Sequence, residues 1–166
     1  RIPTVKGQAM AAYDPRGLKG LGVTYATSPM GADHTAGNSI GDHSLDGTCK
    51  DGQVDLSRNL QIVMTVFDSL GLCIFSGICC EDPEALGHLV EMTSAKFGGE
   101  WDVDRLMGLG VQTLILEKQF NQAAGFSAKD DRLPDFMYTE SLESVAASFD
   151  ISDEELAKTL YFGEPV

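Results

Sequence analysis

The stretch DGQVDLSRNLQIVMTVFDSLGLC, running from Asp51 to Cys73, decides the fold class of this 166-residue chain. Val54, Leu56, Leu60, Val63, Met64, Phe67 and Leu70 recur at helical spacing, not in the strict alternation of a half-buried strand. Asp55 or Ser57 is expected to cap the first turn, and Gly71 to end or bend the helix.

Outward from this helix the same period continues. Asp82-Pro83-Glu84 reads as N-cap, first-turn proline and first-turn acid, opening a helix through Leu86, Leu89, Val90 and Met92 that stops at Gly98-Gly99. Another begins near Asp102, carries Val103, Leu106, Leu109, Leu114, Leu116 and Phe120, and fades at Gly125. Ser152 with Glu155 forms a capping box for a short helix through Leu156 and Leu160. Pro15 to Ala26 is expected to be helical despite Gly17, Gly20 and Gly22. Each glycine costs a helix about 0.8–1.0 kcal/mol relative to alanine, so close backbone packing or ligand approach is expected there. Between these parts, residues 31–52 are polar and Gly-rich and are expected to form a long loop, functional or mobile. Lys129 to Thr139, around Pro134, reads as irregular. The expected fold is all-α: one irregular multi-helix domain over residues 1–166.

Composition narrows the function. With 43% apolar and 22% charged residues, the chain is long enough to bury a core without disulfides or metal. Lys and Arg number 12 against 25 Asp and Glu, a net charge of -13 that repels phosphate backbones and anionic lipid. Nucleic acid and a membrane surface are therefore not expected partners. No apolar run is long enough to span a bilayer. The opening, Arg1-Ile2-Pro3-Thr4-Val5-Lys6-Gly7, has neither the apolar core nor the cleavage site of a signal peptide and reads as the middle of a longer protein. Cys49, Cys73, Cys79 and Cys80 form no C-x-x-C pair and are expected as free thiols in a reducing cytoplasm.

Few residues suggest chemistry on their own. Asp68 and Cys73 put a carboxylate and a thiol on either side of Gly71 at a helix end. The flat face of Asp68 suits two parallel N–H donors of a heterocycle such as a pterin or guanine ring, or equally local amides or an Arg. His34, beside Asp33 in the Gly-rich segment, reads as a general acid or base or as a surface histidine. His43 and His88 have less in their favour. A zinc site from Asp33, His34, His43 and Cys49 matches no ordinary ligand spacing.

Taken together, three ordered blocks resemble the carboxy-terminal part of the aldehyde ferredoxin oxidoreductase family of tungsten enzymes. The first runs from Ala12-Tyr13-Asp14-Pro15-Arg16-Gly17 through Gly20, Gly22 and Tyr25-Ala26-Thr27-Ser28 to His34. The second is Asp68-x-x-Gly71-Leu72-Cys73. The third is Glu117-x-x-Phe120-Asn121 through Gly125-Phe126 to Asp130-Asp131-x-Leu133-Pro134.

The resemblance implies oxidation of an aldehyde substrate to a carboxylic acid, with electrons passed to ferredoxin. It implies a tungsten, or molybdenum, bis-pterin and a 4Fe-4S cluster in the full-length enzyme. Asp68, with Gly71 and Leu72 of its motif, would bind a pterin, Cys73 would ligate the cluster, and His34 would act as the catalytic histidine near the metal. The chain departs from the family at Pro29 to Asp33, where an Arg, two Gly and a Cys are usual, at Thr35-Ala36-Gly37, which lacks the usual basic residue, at Ala123-Ala124, where the family has Arg-Glu, and at Ala128, where an Arg is expected. The family's C-x-x-C-x-x-x-C run is absent from this sequence, so the chain alone is expected to hold neither metal nor cluster. The missing ligands and the second pterin wall would come from amino-terminal and middle domains of the same enzyme. The alternative is a divergent, cofactor-free helical interaction or scaffold domain.

Overall fold

The computed structural model describes residues 1–77 and 83–163. Among them, a small antiparallel hairpin, β1 (Thr4–Val5) and β2 (Gln8–Ala9), precedes seven helices. These are α1 (Lys19–Thr27), α2 (Gln53–Leu70), α3 (Ile74–Gly77), α4 (Pro83–Phe97), α5 (Val103–Ala123), α6 (Asp135–Thr139) and α7 (Asp153–Leu156). The class is all-α, and the hairpin is the one pair of paired strands described.

Helix α1 is buried along its whole length. Leu21, Val23, Tyr25 and Ala26 meet Leu133, Met137, Phe149, Ile151 and Leu156 in one hydrophobic core. Its glycines have the packing reason their cost demands. A Cβ on Gly20 would stand 2.5 Å from Gln53 Oε1, and one on Gly22 would stand 2.5 Å from Phe149 Cε2. A second core forms where α2, α4 and α5 meet, around Val66, Phe67, Leu89 and Leu106. There α5 crosses α2 at Gly110, whose Cβ would lie 2.5 Å from the carbonyl oxygen of Ile62.

The structure adjusts several local readings. Helix α2 starts at Gln53 behind a left-handed Gly52, without a side-chain cap. Ser57 is therefore not a cap; it is buried against α1, its hydroxyl 2.7 Å from that of Thr24. Asp102 does cap α5, accepting from the Arg105 amide at 2.8 Å. The Ser152–Glu155 capping box forms on α7. Gly98 and Gly99 end α4 with φ of +74° and +78°. The capping residue expected before Pro83, Asp82, and the thiols of Cys79 and Cys80 lie outside the described residues. Within the stretch read as irregular, Asp135–Thr139 is helical. On α5, Leu116 and Phe120 belong to the periodic pattern yet are exposed.

Residues 31–52 hold one regular element, a 3₁₀ turn at His34–Ala36. The segment is pinned by Asx turns: Asp33, Asn38, Asp42 and Asp46 each accept from the amide two residues on. Ser39 from this segment is buried against Gly20.

Candidate functional site

The motif around Gly71 is a helix terminus. The Leu72 amide donates to the Phe67 carbonyl at 2.8 Å and the Gly71 amide to the Asp68 carbonyl at 3.1 Å, the paired bonds of a Schellman motif. Gly71 takes φ +74°, and nothing approaches within 4 Å of where its Cβ would be, so the turn has an open face. Leu72 packs back onto the core that holds Phe67. Asp68 on the last turn of α2 and Cys73 just past the glycine are both exposed.

Asp68 lines a cleft of about 260 Å³ between the end of α1, α2 and α5, together with Pro29, Met30, Gln61, Thr65 and Glu117. Among the described residues, no amide, Arg or Lys bonds its carboxylate, so neither local partner considered for it is present. Partial desolvation pushes the Asp68 carboxyl above its ordinary value, the charge of Asp33 adding to the effect. Burial, then the Asp68 charge, raises Glu117 likewise.

Gln61 forms part of the cleft floor and is only 1% exposed. Its orientation follows from the hydrogens around it. Thr27 donates to the Val23 carbonyl at 2.8 Å and Thr24 to the Gly37 carbonyl at 2.9 Å, which leaves Ser57 to donate to Thr24. The Gln61 Nε2 hydrogens then go to Thr27 Oγ1 at 2.9 Å and Ser57 Oγ at 3.2 Å. Both amide hydrogens are used, which settles the amide orientation, and Oε1 is left buried without a donor.

His34 sits half-buried in the 3₁₀ turn, its ring 5.6 Å from that of Tyr13 and its Nδ1 3.7 Å from Asp33 Oδ1. It does not line the cleft. Asp33 is the electrostatic link, since its charge acts on Asp68 and on Tyr25. The Tyr25 hydroxyl is buried without a partner, and burial, with Tyr13 and Asp33, pushes it up to about 12. Among the described residues, no group of three His, Cys, Asp or Glu side chains could hold a metal, so the zinc arrangement considered from spacing does not form.

The three sequence blocks therefore converge. Pro29 of the segment leading to His34, Asp68 of the second block and Glu117 of the third line one cleft. Asn121 of the third block donates its side-chain amide to the Pro29 carbonyl at 2.8 Å.

The family model described as aldehyde ferredoxin oxidoreductase, domains 2 and 3, matches residues 2–162. The chain belongs to the aldehyde ferredoxin oxidoreductase family. It is 32% identical over 140 residues, 78% of this chain, to a tungsten-containing aldehyde ferredoxin oxidoreductase of Pyrococcus horikoshii. It is 30% identical over 141 residues, 79% of this chain, to the enzyme of that name from Pyrococcus furiosus. The matched segment is 22% of the length of each relative. No helix among the described residues is long and apolar enough to cross a membrane.

For this family member the donor set can be tested against what it would hold. Asp68 and Glu117 are carboxylates without donors among the described residues on one cleft, which fits a group presenting N–H bonds. The exposed Cys73 fits as a single thiolate ligand. Gln61, Glu117 and Tyr25 had not stood out as site residues. The spacing of Gln53, Ser57 and Gln61, four apart on α2 and so on one face of it, was the available signal for a buried polar seam.

Proposed function

We propose that this chain is the carboxy-terminal part of a larger tungstopterin aldehyde:ferredoxin oxidoreductase. The reaction takes an aldehyde and water to a carboxylic acid, two protons and two electrons, and the electrons pass to ferredoxin. The observation that carries the reading is the open Schellman turn, with an unpartnered Asp68 on one side of Gly71 and an exposed Cys73 on the other.

Bound tungsten bis-pterin would supply the two-electron oxidant. The residues of this chain hold and orient. Asp68 accepts the N–H edge of a pterin along the cleft. Cys73 gives one thiolate to a four-iron cluster, whose other ligands come from elsewhere in the polypeptide. His34, oriented by Asp33 and Tyr13, hydrogen-bonds the aldehyde oxygen or moves a proton as water adds. Leu116 and Phe120, exposed one turn apart on α5, support further domains of the same enzyme as partners.

The test is elemental analysis and aldehyde-dependent dye reduction in the polypeptide that carries this chain. Tungsten or molybdenum is expected, with about four irons per chain. Cys73→Ser should remove the iron–sulfur absorbance and His34→Ala should lower turnover with the metal retained. An intact protein free of both metal and iron would instead be a cofactor-free helical interaction domain.

A further inference from the structure

We propose that Asp33 is a specificity-determining residue: its carboxylate, held beside His34, favours aldehydes whose far end is cationic over those whose far end is a carboxylate. This rests on the reading of His34 as the residue that meets the aldehyde oxygen, and adds to it the charge class of the substrate.

The carboxylate is fixed from within its own turn. Asp33 caps the 3₁₀ turn His34–Ala36: Oδ1 accepts from the Thr35 amide at 2.9 Å, and the Thr35 hydroxyl lies 3.0 Å from Oδ1 and 2.9 Å from Oδ2. The side chain is 16% exposed, and Oδ1 stands 3.7 Å from His34 Nδ1. Neutral donors orient this charge without cancelling it. Among the described residues no Lys or Arg pairs with it; Arg16 is taken by Asp14 and Lys6 by Asp131.

An aldehyde oxygen hydrogen-bonded to the His34 ring lies no more than about 9 Å from this carboxylate, even when it is bound to the far ring nitrogen. That span is about one Debye length at 0.1 M salt, so the charge is felt across it. Its reach shows in two neighbours. Burial is the largest influence on both, yet the Asp33 charge adds to it at the Asp68 carboxyl on α2, and with Tyr13 at the Tyr25 hydroxyl on α1, raising each. At such a range an opposite charge on the substrate is favoured, and a like charge disfavoured, by about a few-fold each. The two effects multiply when a cationic aldehyde is compared with an anionic one, and the net charge of -13 has the same sign.

The experiment measures kcat/KM of the polypeptide that carries this chain for para-trimethylammoniobenzaldehyde and para-carboxybenzaldehyde, at low and at high salt. The test variant is Asp33→Asn, whose amide oxygen still accepts from Thr35 and keeps the turn while removing the charge. The unaltered enzyme should prefer the cationic aldehyde, and Asp33→Asn should shrink that ratio about tenfold, the intrinsic reactivities cancelling between the two proteins. High salt should narrow the ratio in the unaltered enzyme and change it less in the variant. If His34→Ala slows turnover while Asp33→Asn keeps the ratio, or lowers both substrates equally, the extension is overturned and the His34 reading stands. If His34→Ala turns over aldehyde like the unaltered enzyme, or the unaltered enzyme oxidises no aldehyde, the parent reading fails and takes the extension with it. An unaltered enzyme that takes the carboxylate-bearing aldehyde as well as the cationic one also overturns the proposal.

Discussion

The ammonium of Lys6 lies 2.5 Å from the Asp131 carboxylate and donates to the carbonyls of Ala26 and Ser28 at 3.0 and 3.1 Å. One buried side chain thus joins the hairpin, the carboxy-terminal end of α1 and the segment after α5. A cation at a helix C-terminus also complements the carbonyls exposed there.

Lys6→Met should accordingly cost about 3–5 kcal/mol, because it leaves two carbonyls and a carboxylate without their donor. Asp131→Asn should cost less, since Lys6 keeps both carbonyl acceptors. Urea unfolding followed by circular dichroism measures both. Equal midpoints for the Lys6 variant and the unaltered chain would remove this pin from the account.

Helix propensity and packing make opposite demands at the glycines. Gly22→Ala should destabilise by about 1–3 kcal/mol despite the better helix former, since the new methyl meets Phe149 and Pro15. Gly108→Ala, on α5 with open space around its Cβ, should stabilise by up to about 1 kcal/mol. Melting temperatures of the pair should move in opposite directions. A stable Gly22→Ala protein would mean that α1 has room to shift.

The cleft carboxyls set a pH dependence. Glu117 and Asp68 titrate above their ordinary values of 4.5 and 3.8 in the folded chain, so folding favours their protonated forms. Their contribution is fully present below those ordinary values and is lost as pH rises through the raised folded ones. Glu117→Gln should therefore gain stability relative to the unaltered chain as pH goes from 4 to 7. Denaturation midpoints at several pH values measure the difference; a gap constant with pH would contradict it.

Cys73 is exposed with its thiol unpaired, so Cys73→Ser should leave the stability of this chain within about 0.5 kcal/mol. Cys49 and Cys73 should both react rapidly with a thiol reagent in the folded chain. Slow labelling at Cys73 would place it under cover that the exposed turn does not provide.

Local chemistry was legible in residue order. The stop at Gly71, the double stop at Gly98 and Gly99, the Asp102 cap and the Ser152–Glu155 box each depend on groups within a few residues of one another. Neighbouring residues meet whatever the rest of the chain does. Which face of a helix turns inward is another matter. On α2 the periodic pattern marks Leu56 and Leu60 like Phe67, yet of these only Phe67 is buried, with Val66 outside the pattern beside it, while Gln53, Ser57 and Gln61 are sealed as well. Gly20 lets α1 come close enough for their hydrogen bonds to replace those to water.

The candidate site divides in the same way. Residue types and spacing in the motif at Asp68, Gly71 and Cys73 pointed to a helix-end turn with a carboxylate and a thiol at its flanks. That Asp68 shares a cleft with Glu117 was decided by the crossing of α2 and α5 beside the end of α1. Pattern along a chain reports which groups are available; only the packing of distant segments determines which of them lose water together, and that shared desolvation is what turns separate side chains into a binding surface.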